Sequence, residues 1–329
     1  MTTLTSSWKA KLASIPSPMA GLALAIGSLG WTWENLATDL HGAGQLIGAA
    51  IAAMMLLALV AKFVIHPKVL WQELTHPVVG SVIPTFAMAL MVISKAVGMF
   101  LPAIGLSLWL VAIGIHIVFL FAFVYYRAID FKLDHMVPSW FVPPIGIIVA
   151  AVSFPGQGYN WLADGILIFG MLAYLIMLPV MLYRLIFCEP VPQAAKPTIA
   201  ILAAPASLSL AGYLTVVQQP SIVLVGLLLS VAVLMTAVIY LAFFHLLKLP
   251  FSPGYAAFTF PMVIGATALF KSAVWASHFA GMADFAHWLH TLAVVELAIA
   301  TLVVAYVAFR YVLHYLPGVK DNWSQAAVR

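Results

Sequence analysis

Few ionisable residues of this sequence fall inside its apolar stretches, and Glu296 is the one clear carboxylate among them. An ionisable residue inside an apolar stretch of membrane-crossing length is a functional candidate. Glu296 could relay a proton, or it could pair with a residue at a contact between subunits. His116 also lies in an apolar stretch, and without an evident partner it is interpreted as a hydrogen-bonded structural histidine.

No pattern in the sequence favours an enzyme. GxSxG and HExxH motifs, paired aspartates for metal–pyrophosphate chemistry and in-register histidine pairs for haem are all missing. His278, His287 and His290 cluster, but a group of histidines is a weak metal signal. The single cysteine, Cys188, excludes an internal disulfide and a multi-cysteine metal site. We therefore predict a protein without enzymatic activity, metal site or cofactor.

Two lysines have a spacing that could serve an anion pathway. Lys95 lies eleven residues after Pro84, and Lys271 lies eleven residues after Phe260. Eleven residues make about three helical turns, so each lysine returns to the same helix face about 16 Å further along. The two could form a basic mouth that concentrates anions. The alternative is that both side chains only extend to the membrane interface.

The composition of the whole chain predicts a membrane protein. The 329 residues are 64% hydrophobic and 7% charged, with a mean hydropathy of +1.10, whereas soluble domains carry about 25% charged residues. We predict an all-α integral membrane protein with one transmembrane domain over residues 1–329. Its spans, each of roughly membrane-crossing length, are predicted at 17–34, 43–65, 77–98, 102–127, 138–155, 161–186, 198–217, 221–247, 254–276 and 287–315.

The basic residues predict the orientation. With a cytoplasmic N-terminus, twelve of the fourteen lysines and arginines fall on the cytoplasmic side, which is a strong positive-inside bias. Both termini are therefore predicted to be cytoplasmic, in a cell membrane such as the bacterial inner membrane. The net charge of +4 is then an orientation signal and not a sign of a nucleic-acid partner. The twelve are Lys9, Lys11, Lys62, Lys68, Arg127, Lys132, Arg184, Lys196, Lys248, Arg310, Lys320 and Arg329.

One proline recurs at a similar place in every odd-numbered span. These are Pro18, Pro84, Pro144, Pro205 and Pro261, separated by 66, 60, 61 and 56 residues. The regular spacing indicates five repeated helical hairpins. Proline frees a backbone carbonyl, which in hydrocarbon needs another partner. We therefore predict that proline-kinked odd helices surround a central pore and that straighter even helices lie outside, although prolines are also simply common in membrane helices.

Phe260 is the strongest candidate for a gate. It directly precedes Pro261 near the middle of the ninth span, in the small-residue stretch GYAAFTFPMVIGATA. A large ring at the bend of a pore-lining helix can occlude a narrow lumen, and hydrophobic constrictions gate by excluding water. The alternative is ordinary core packing. Phe258, which faces roughly 200° away on a helix, is the internal control.

The pattern of proline-bearing hairpins resembles the tellurite-resistance/dicarboxylate transporter family. That family includes bacterial tellurite-resistance channels, yeast malate and sulfite permeases, and the plant guard-cell slow anion channel. The resemblance implies a ten-helix anion pathway, a homotrimer with one pore per subunit, a plug at Phe260 and a pore-facing small residue at Gly21. The matching stretches are SPMAGLALAIG (17–27), ELTHPVVGSVIP (73–84), VPSWFVPP (137–144), KPTIAILAAPASLSLAGYL (196–214) and AAFTFPM (256–262).

The odd spans carry no arginine at mid-span. A path of apolar and small residues cannot replace a tightly held hydration shell, so it favours anions that lose water easily, such as nitrate, over doubly charged C4-dicarboxylates. We predict transport of small anions through a pore gated by Phe260. The alternative is a carrier for C4-dicarboxylates (malate), sulfite or tellurite-type oxyanions, with proton coupling at Glu296. The predicted pore-lining residues are Gly21, Pro84, Pro144, Pro205 and Pro261.

Overall fold

The computed structural model describes residues 2–156 and 158–315, and this part of the chain is helical and contains no strand. The predicted all-helical membrane class is confirmed, because eight segments are long and apolar enough to cross a bilayer. They are Ala43–Ile65, Val79–Gly98, Pro102–Ile129, Asn160–Phe187, Gln193–Val216, Ile222–Leu246, Pro253–Ser277 and Ala283–Tyr315.

Two of the ten predicted spans do not reach that length. The first, α2 (Met19–Trp33), has 15 residues, and the fifth is an interrupted segment, Pro138–Val152. An α-helix of 15 residues rises only about 22 Å, against a hydrocarbon core of about 30 Å. Both predicted spans were too long, because their hydropathy included apolar residues in flanking turns that do not continue the helix. Eight helices, rather than ten, therefore meet the length criterion in the described part of the chain.

The even-numbered spans are continuous helices that form the outside of the bundle. Each is only 28–33% buried, and the side chains that it exposes are mostly large and apolar. Such a surface suits lipid, which is as apolar as the side chains themselves. These helices are α3 (Ala43–Ile65), α7 (Pro102–Ile129), α10 (Asn160–Phe187), α12 (Ile222–Leu246) and α14 (Ala283–Tyr315).

The odd-numbered spans change their backbone conformation at the prolines. Ahead of the proline, the seventh and ninth spans run as 3₁₀-helix, Gln193–Ala203 and Pro253–Phe258. At the proline a regular α-helix begins, because the first turn of a helix does not need the missing N–H group. These α-helices are α2 after Pro18, α6 (Thr85–Gly98) after the one-turn helix α5 (Val79–Val82) and Pro84, α11 (Ala204–Val216) with Pro205 and α13 (Phe260–Ser277) with Pro261.

The odd-numbered spans are also the inner layer. The segments Val79–Gly98, Gln193–Val216 and Pro253–Ser277 are 72%, 72% and 83% buried. The fifth span is almost completely buried, although it breaks into short pieces that include α8 (Val142–Ile145) and α9 (Val149–Val152). Irregular backbone is therefore confined to positions that other helices cover, as hydrocarbon requires.

Side chains of α7 satisfy carbonyl groups that the broken fifth span leaves free. The ring of His116, which is fully buried, donates from Nε2 to the carbonyl of Pro143 at 2.8 Å. Trp109, also fully buried, donates from Nε1 to the carbonyl of Ala150 at 3.0 Å. An unpartnered buried carbonyl is costly, so these two side chains stabilise the interruption. His116 thus has a structural role in this fold.

Basic residues mark one end of the bundle. Lys62, Arg127 and Arg184 lie in the last turns of α3, α7 and α10, and we call this the basic end. The opposite end, where α6 and α13 carry Lys95 and Lys271 outward, is called the far end. Two residues of the predicted cytoplasmic set lie outside the described residues, namely Lys320 and Arg329.

Two helices ahead of and between the spans were not predicted. They are α1 (Thr2–Ala13) and α4 (Pro67–Thr75), and neither is apolar enough to resemble a span. Pro67 stands at the start of α4, where its missing N–H group costs nothing. The short helix α4 turns the chain back at the basic end and carries Glu73 towards the interior of the bundle.

Candidate functional site

A cavity of about 480 Å³ occupies the middle of the inner layer. It reaches the basic end, and its wall is made mostly of small and apolar side chains. All five odd-numbered spans contribute to it. One lining residue from each, in chain order, is Gly21, Thr85, Ile145, Ala204 and Ala256.

The ring of Phe260 separates this cavity from a second space. Phe260 lines the large cavity, and it also lines a space of only about 10 Å³ that lies towards the far end. That smaller space is bordered by Ser28, Trp31, Val92 and Thr267, among others. It is about the minimum that holds one water molecule. The side chain of Phe260 is 8% exposed.

The junction between two helix types positions the Phe260 ring. The 3₁₀ segment ends at Phe258, Thr259 caps the new helix, and Phe260 is the first residue of α13. The Thr259 hydroxyl donates to the carbonyl of Ala256 at 2.7 Å and holds the turn. Phe258 points elsewhere: its fully buried ring packs edge-to-face on Phe243 of α12, with centroids 5.5 Å apart. Phe258 lines neither of the two spaces.

Gly21 borders the cavity without crowding a neighbouring backbone. A Cβ atom built on it would lie 3.7 Å from the Cβ of Ala256 and 3.9 Å from Cγ2 of Thr85, which are ordinary contacts. Gly30 of the same helix is different, because a Cβ there would overlap the backbone of Gly44 in α3. The first glycine therefore leaves space in the cavity, whereas the second permits close packing of two helices.

The predicted pore-lining prolines divide into two groups. Pro205 and Pro261 lie on the cavity wall. Pro84 and Pro144 do not, because Thr85 of the third span and Ile145 of the fifth occupy the wall beside them. Across these four spans, the wall is thus formed by the proline itself in two and by the residue after the proline in the two others.

The two far-end lysines lie close to the smaller space. Lys95 donates from Nζ to the carbonyl of Phe154 at 3.0 Å, and Nζ lies 6.0 Å from the ring centre of Trp31. Lys271 follows Thr267, which borders the smaller space, by one turn of α13. In the part of the chain that the structure describes, neither lysine has a carboxylate at ion-pair distance. Both positive charges are therefore uncompensated at this end.

Glu296 lies away from the central cavity. It accepts a hydrogen bond from the hydroxyl of Tyr240, and its other oxygen, Oε1, has no partner among the described residues. Oε1 lies against Gly265, where a Cβ atom would be only 2.8 Å away. The side chain borders a separate cavity of about 150 Å³ among α11, α12, α13 and α14. Helix α13 thus stands between Glu296 and the central cavity.

Sequence reasoning missed an ion pair on the wall of the central cavity. Nζ of Lys62 lies 2.7 Å from Oε1 of Glu73, and both residues line the cavity together with Ser17. The two residues are separated by the break at Pro67, so no helix wheel brings them together. The available signal was that Glu73 is a lone carboxylate in a short segment between two spans, close in sequence to Lys62.

Comparison with known proteins agrees with this architecture. The family model of the voltage-dependent anion channel matches residues 15–312. The chain belongs to this family. The resemblance to tellurite-resistance/dicarboxylate transporters is thereby confirmed, together with a multi-pass membrane location and a transporter or channel class.

Two curated relatives support the same assignment. An uncharacterized transporter of Methanocaldococcus jannaschii is 29% identical over 240 residues, which are 64% of this chain and 68% of the relative. A second uncharacterized transporter of that organism is 28% identical over 218 residues, which are 58% of this chain and 62% of the relative. Both relatives are named as transporters, and neither name states a substrate.

The contrast between Gly21 and Gly30 gives a test of the packing. Gly30→Ala should lower the free energy of unfolding by about 1–3 kcal/mol, the usual cost of overpacking, because its Cβ overlaps the backbone of Gly44. Gly21→Ala, the same change on the same helix, should cost less than about 1 kcal/mol. Thermal unfolding of the purified variants in detergent measures both. Equal destabilisation by the two changes would contradict the assignment of Gly21 to an open cavity.

Proposed function

We propose that this protein is a channel for small monovalent inorganic anions and that the ring of Phe260 closes its central path. The observation that carries the proposal is the position of that ring between a cavity of about 480 Å³ and a space of about 10 Å³. Movement of one side chain would join the two spaces. Membership in an anion-channel family supports the class of solute.

The proposal includes ten membrane crossings arranged as five hairpins in one domain, with both termini in the cytoplasm. The short first and fifth spans can cross because the inner layer is covered by longer helices and does not itself have to match the lipid. In the fifth span the 3₁₀ pieces Pro138–Phe141 and Gly146–Ile148 add length, since a 3₁₀-helix rises about 2.0 Å per residue. The cavity lies within one chain, which supports one pore per subunit of a homotrimer.

The cavity wall favours weakly hydrated anions. Among its described lining residues, the charged ones are Lys62 and Glu73, which form a pair of zero net charge. Such a wall offers no guanidinium group to hold a second negative charge. An anion passing Phe260 loses water without a strong replacement, so nitrate should pass more easily than chloride and a dicarboxylate least easily.

Replacement of Phe260 tests the gate. Phe260→Ala should open the path and raise chloride and nitrate currents in planar bilayers many-fold per folded protein. Phe258→Ala is the matched control, because the Phe258 ring packs on Phe243 and borders neither space. That variant should lose stability, typically about 3–5 kcal/mol for a buried phenylalanine, and gain no current. Equal currents in wild type and folded Phe260→Ala would refute the gate.

The uncompensated far-end lysines give a test of selectivity. In the Phe260→Ala background, nitrate current should at least equal chloride current, and potassium current should be negligible. Adding Lys95→Glu and Lys271→Glu should reduce anion current, most strongly at low salt, because the Debye length is about 30 Å at 0.01 M and about 3 Å at 1 M. Lys132→Glu, in an exposed pair with Asp130, is the control for each single charge reversal. A loss that is independent of salt would speak against an electrostatic mouth.

A proton-coupled carrier is the second candidate, and the unpartnered Oε1 of Glu296 is the observation that favours it. A channel should keep its anion current in Phe260→Ala/Glu296→Gln and show a reversal potential set by the anion gradient alone. A carrier that uses Glu296 should lose coupled flux in Glu296→Gln and respond to a pH gradient before that change. Reversal potentials under opposed anion and pH gradients separate the two. Tyr240→Phe removes the hydrogen bond but keeps the carboxyl group, so it serves as the control.

A further inference from the structure

Each ammonium hydrogen and each carboxylate oxygen of the ion pair on the cavity wall has a hydrogen-bond partner. The ammonium group of Lys62 donates to Oε1 of Glu73 at 2.7 Å, to Oγ of Ser17 at 2.9 Å and to the carbonyl of Ile15 at 2.9 Å. The hydroxyl of Ser17 donates to the other carboxylate oxygen of Glu73. All three ammonium hydrogens and both carboxylate oxygens are thus engaged. Lys62 is held in place and cannot act as a free anion-binding arm.

The two charges differ in how they face the cavity. The side chain of Lys62 is 2% exposed and that of Glu73 is 20% exposed. The carboxylate is therefore the charge that an incoming ion meets first, and the ammonium group stands behind it. Among the described lining residues of this cavity no other side chain carries a charge. Without Lys62, the cavity would present one net negative charge between its opening and Phe260.

We propose that Lys62 keeps the basic-end entrance open to anions by neutralising Glu73, so that loss of Lys62 alone turns this entrance into an anion barrier. The inference rests on the proposed anion pathway and adds a selectivity-determining pair to it. A negative charge acts over about 10 Å in a narrow space of low dielectric, where Coulomb interactions are weakly screened. That reach covers an ion approaching Phe260 from this side.

A purely structural role for the pair is the competing explanation. The pair ties Ile15 and Ser17, which precede α2, to the end of α3 and to α4. Breaking it from one side leaves an uncompensated buried charge, which is strongly destabilising in general. The test therefore needs a readout of the sign of the potential in the cavity, which a change in folding alone does not reverse.

A thiol in the cavity provides that readout without any ion current. Ala257 lines the cavity directly before the gate, so Ala257→Cys is introduced in a Cys188→Ser background. The purified full-length protein in detergent is treated at pH 8 with a negatively charged methanethiosulfonate (sulfonatoethyl) or a positively charged one (trimethylammonioethyl). The ratio of their modification rates reports the potential at Ala257. The native Cys188 lies outside the cavity lining and is the control thiol, measured in proteins that retain both Cys188 and Ala257.

Lys62→Met should lower the ratio of anionic to cationic modification by at least about fivefold at low salt. Lys62→Met/Glu73→Gln should recover most of that loss, and 1 M salt should diminish the effect. Lys132→Met removes the same charge from an exposed pair and should leave the ratio unchanged, as should any variant measured at Cys188. An unchanged ratio in folded Lys62→Met, or no recovery in the double variant, overturns the inference.

If Lys62→Met does not fold, Glu73→Gln tests the electrostatic role of the pair instead. It leaves the ammonium group uncompensated, so the ratio at Ala257→Cys must rise at least about twofold; a ratio that stays the same overturns the inference. The anion pathway is judged separately by the current through Phe260→Ala. An absent current with a shifted thiol ratio removes the proposed function and leaves the electrostatic pair. A large current with an unshifted ratio supports the anion pathway and overturns the electrostatic role of the Lys62–Glu73 pair.

Discussion

Inside hydrocarbon every backbone N–H and C=O group needs a hydrogen-bond partner, and this requirement governs the structure. Prolines interrupt the odd-numbered spans, and an interrupted helix is tolerated only where other helices cover it. The odd spans are consequently the inner layer, and continuous helices such as α3 and α14 surround them. Trp109 and His116 of α7 show the constraint directly, because their ring N–H groups bond carbonyls of the broken fifth span.

The central cavity follows from the same constraint. Inner spans that bend cannot pack along their whole length, and small residues near the bends leave the remaining space unfilled. A Cβ atom built on Gly21 would already lie 3.7 Å from the Cβ of Ala256, so the missing side chain leaves space between α2 and the ninth span. The change from 3₁₀-helix to α-helix at Thr259 then directs the Phe260 ring towards the space. The same proline bend in the ninth span therefore places the proposed gate residue on the cavity wall.

Much of this could be predicted from the sequence, because the governing signals are local. Hydropathy locates the long spans within a few residues, and the proline period separates inner from outer helices. Phe260 can be selected as a candidate gate because it precedes a proline in a stretch of small residues. Hydropathy could not show that α2 ends after 15 residues, since apolar residues in turns and in helices score alike.

Contacts between distant segments were beyond sequence reasoning. Lys62 counted only as an orientation signal, and its partner Glu73 reaches it through the short helix α4, which carries no periodic apolar pattern. The position of Glu296 behind α13 depends on the rotation of α14, and the close approach of its carboxyl group to Gly265 fixes that rotation. Proline identity likewise does not say which residue of a bend faces the cavity, so Pro84 and Pro144 could not be distinguished from Pro205.

An anion on the proposed path would meet two sites in series, and the barrier that each can raise differs in physical kind. At the basic end the proposed barrier is electrostatic, and the pairing of Lys62 with Glu73 cancels it. At Phe260 the proposed barrier is the loss of hydration beside an apolar ring, which depends on ion size and not on the sign of charge. An apolar closure alone would stop cations and anions alike, so charge selection has to arise elsewhere. The uncompensated Lys95 and Lys271 at the far end can provide it, and the neutralised Lys62–Glu73 pair at the basic end does not oppose an anion.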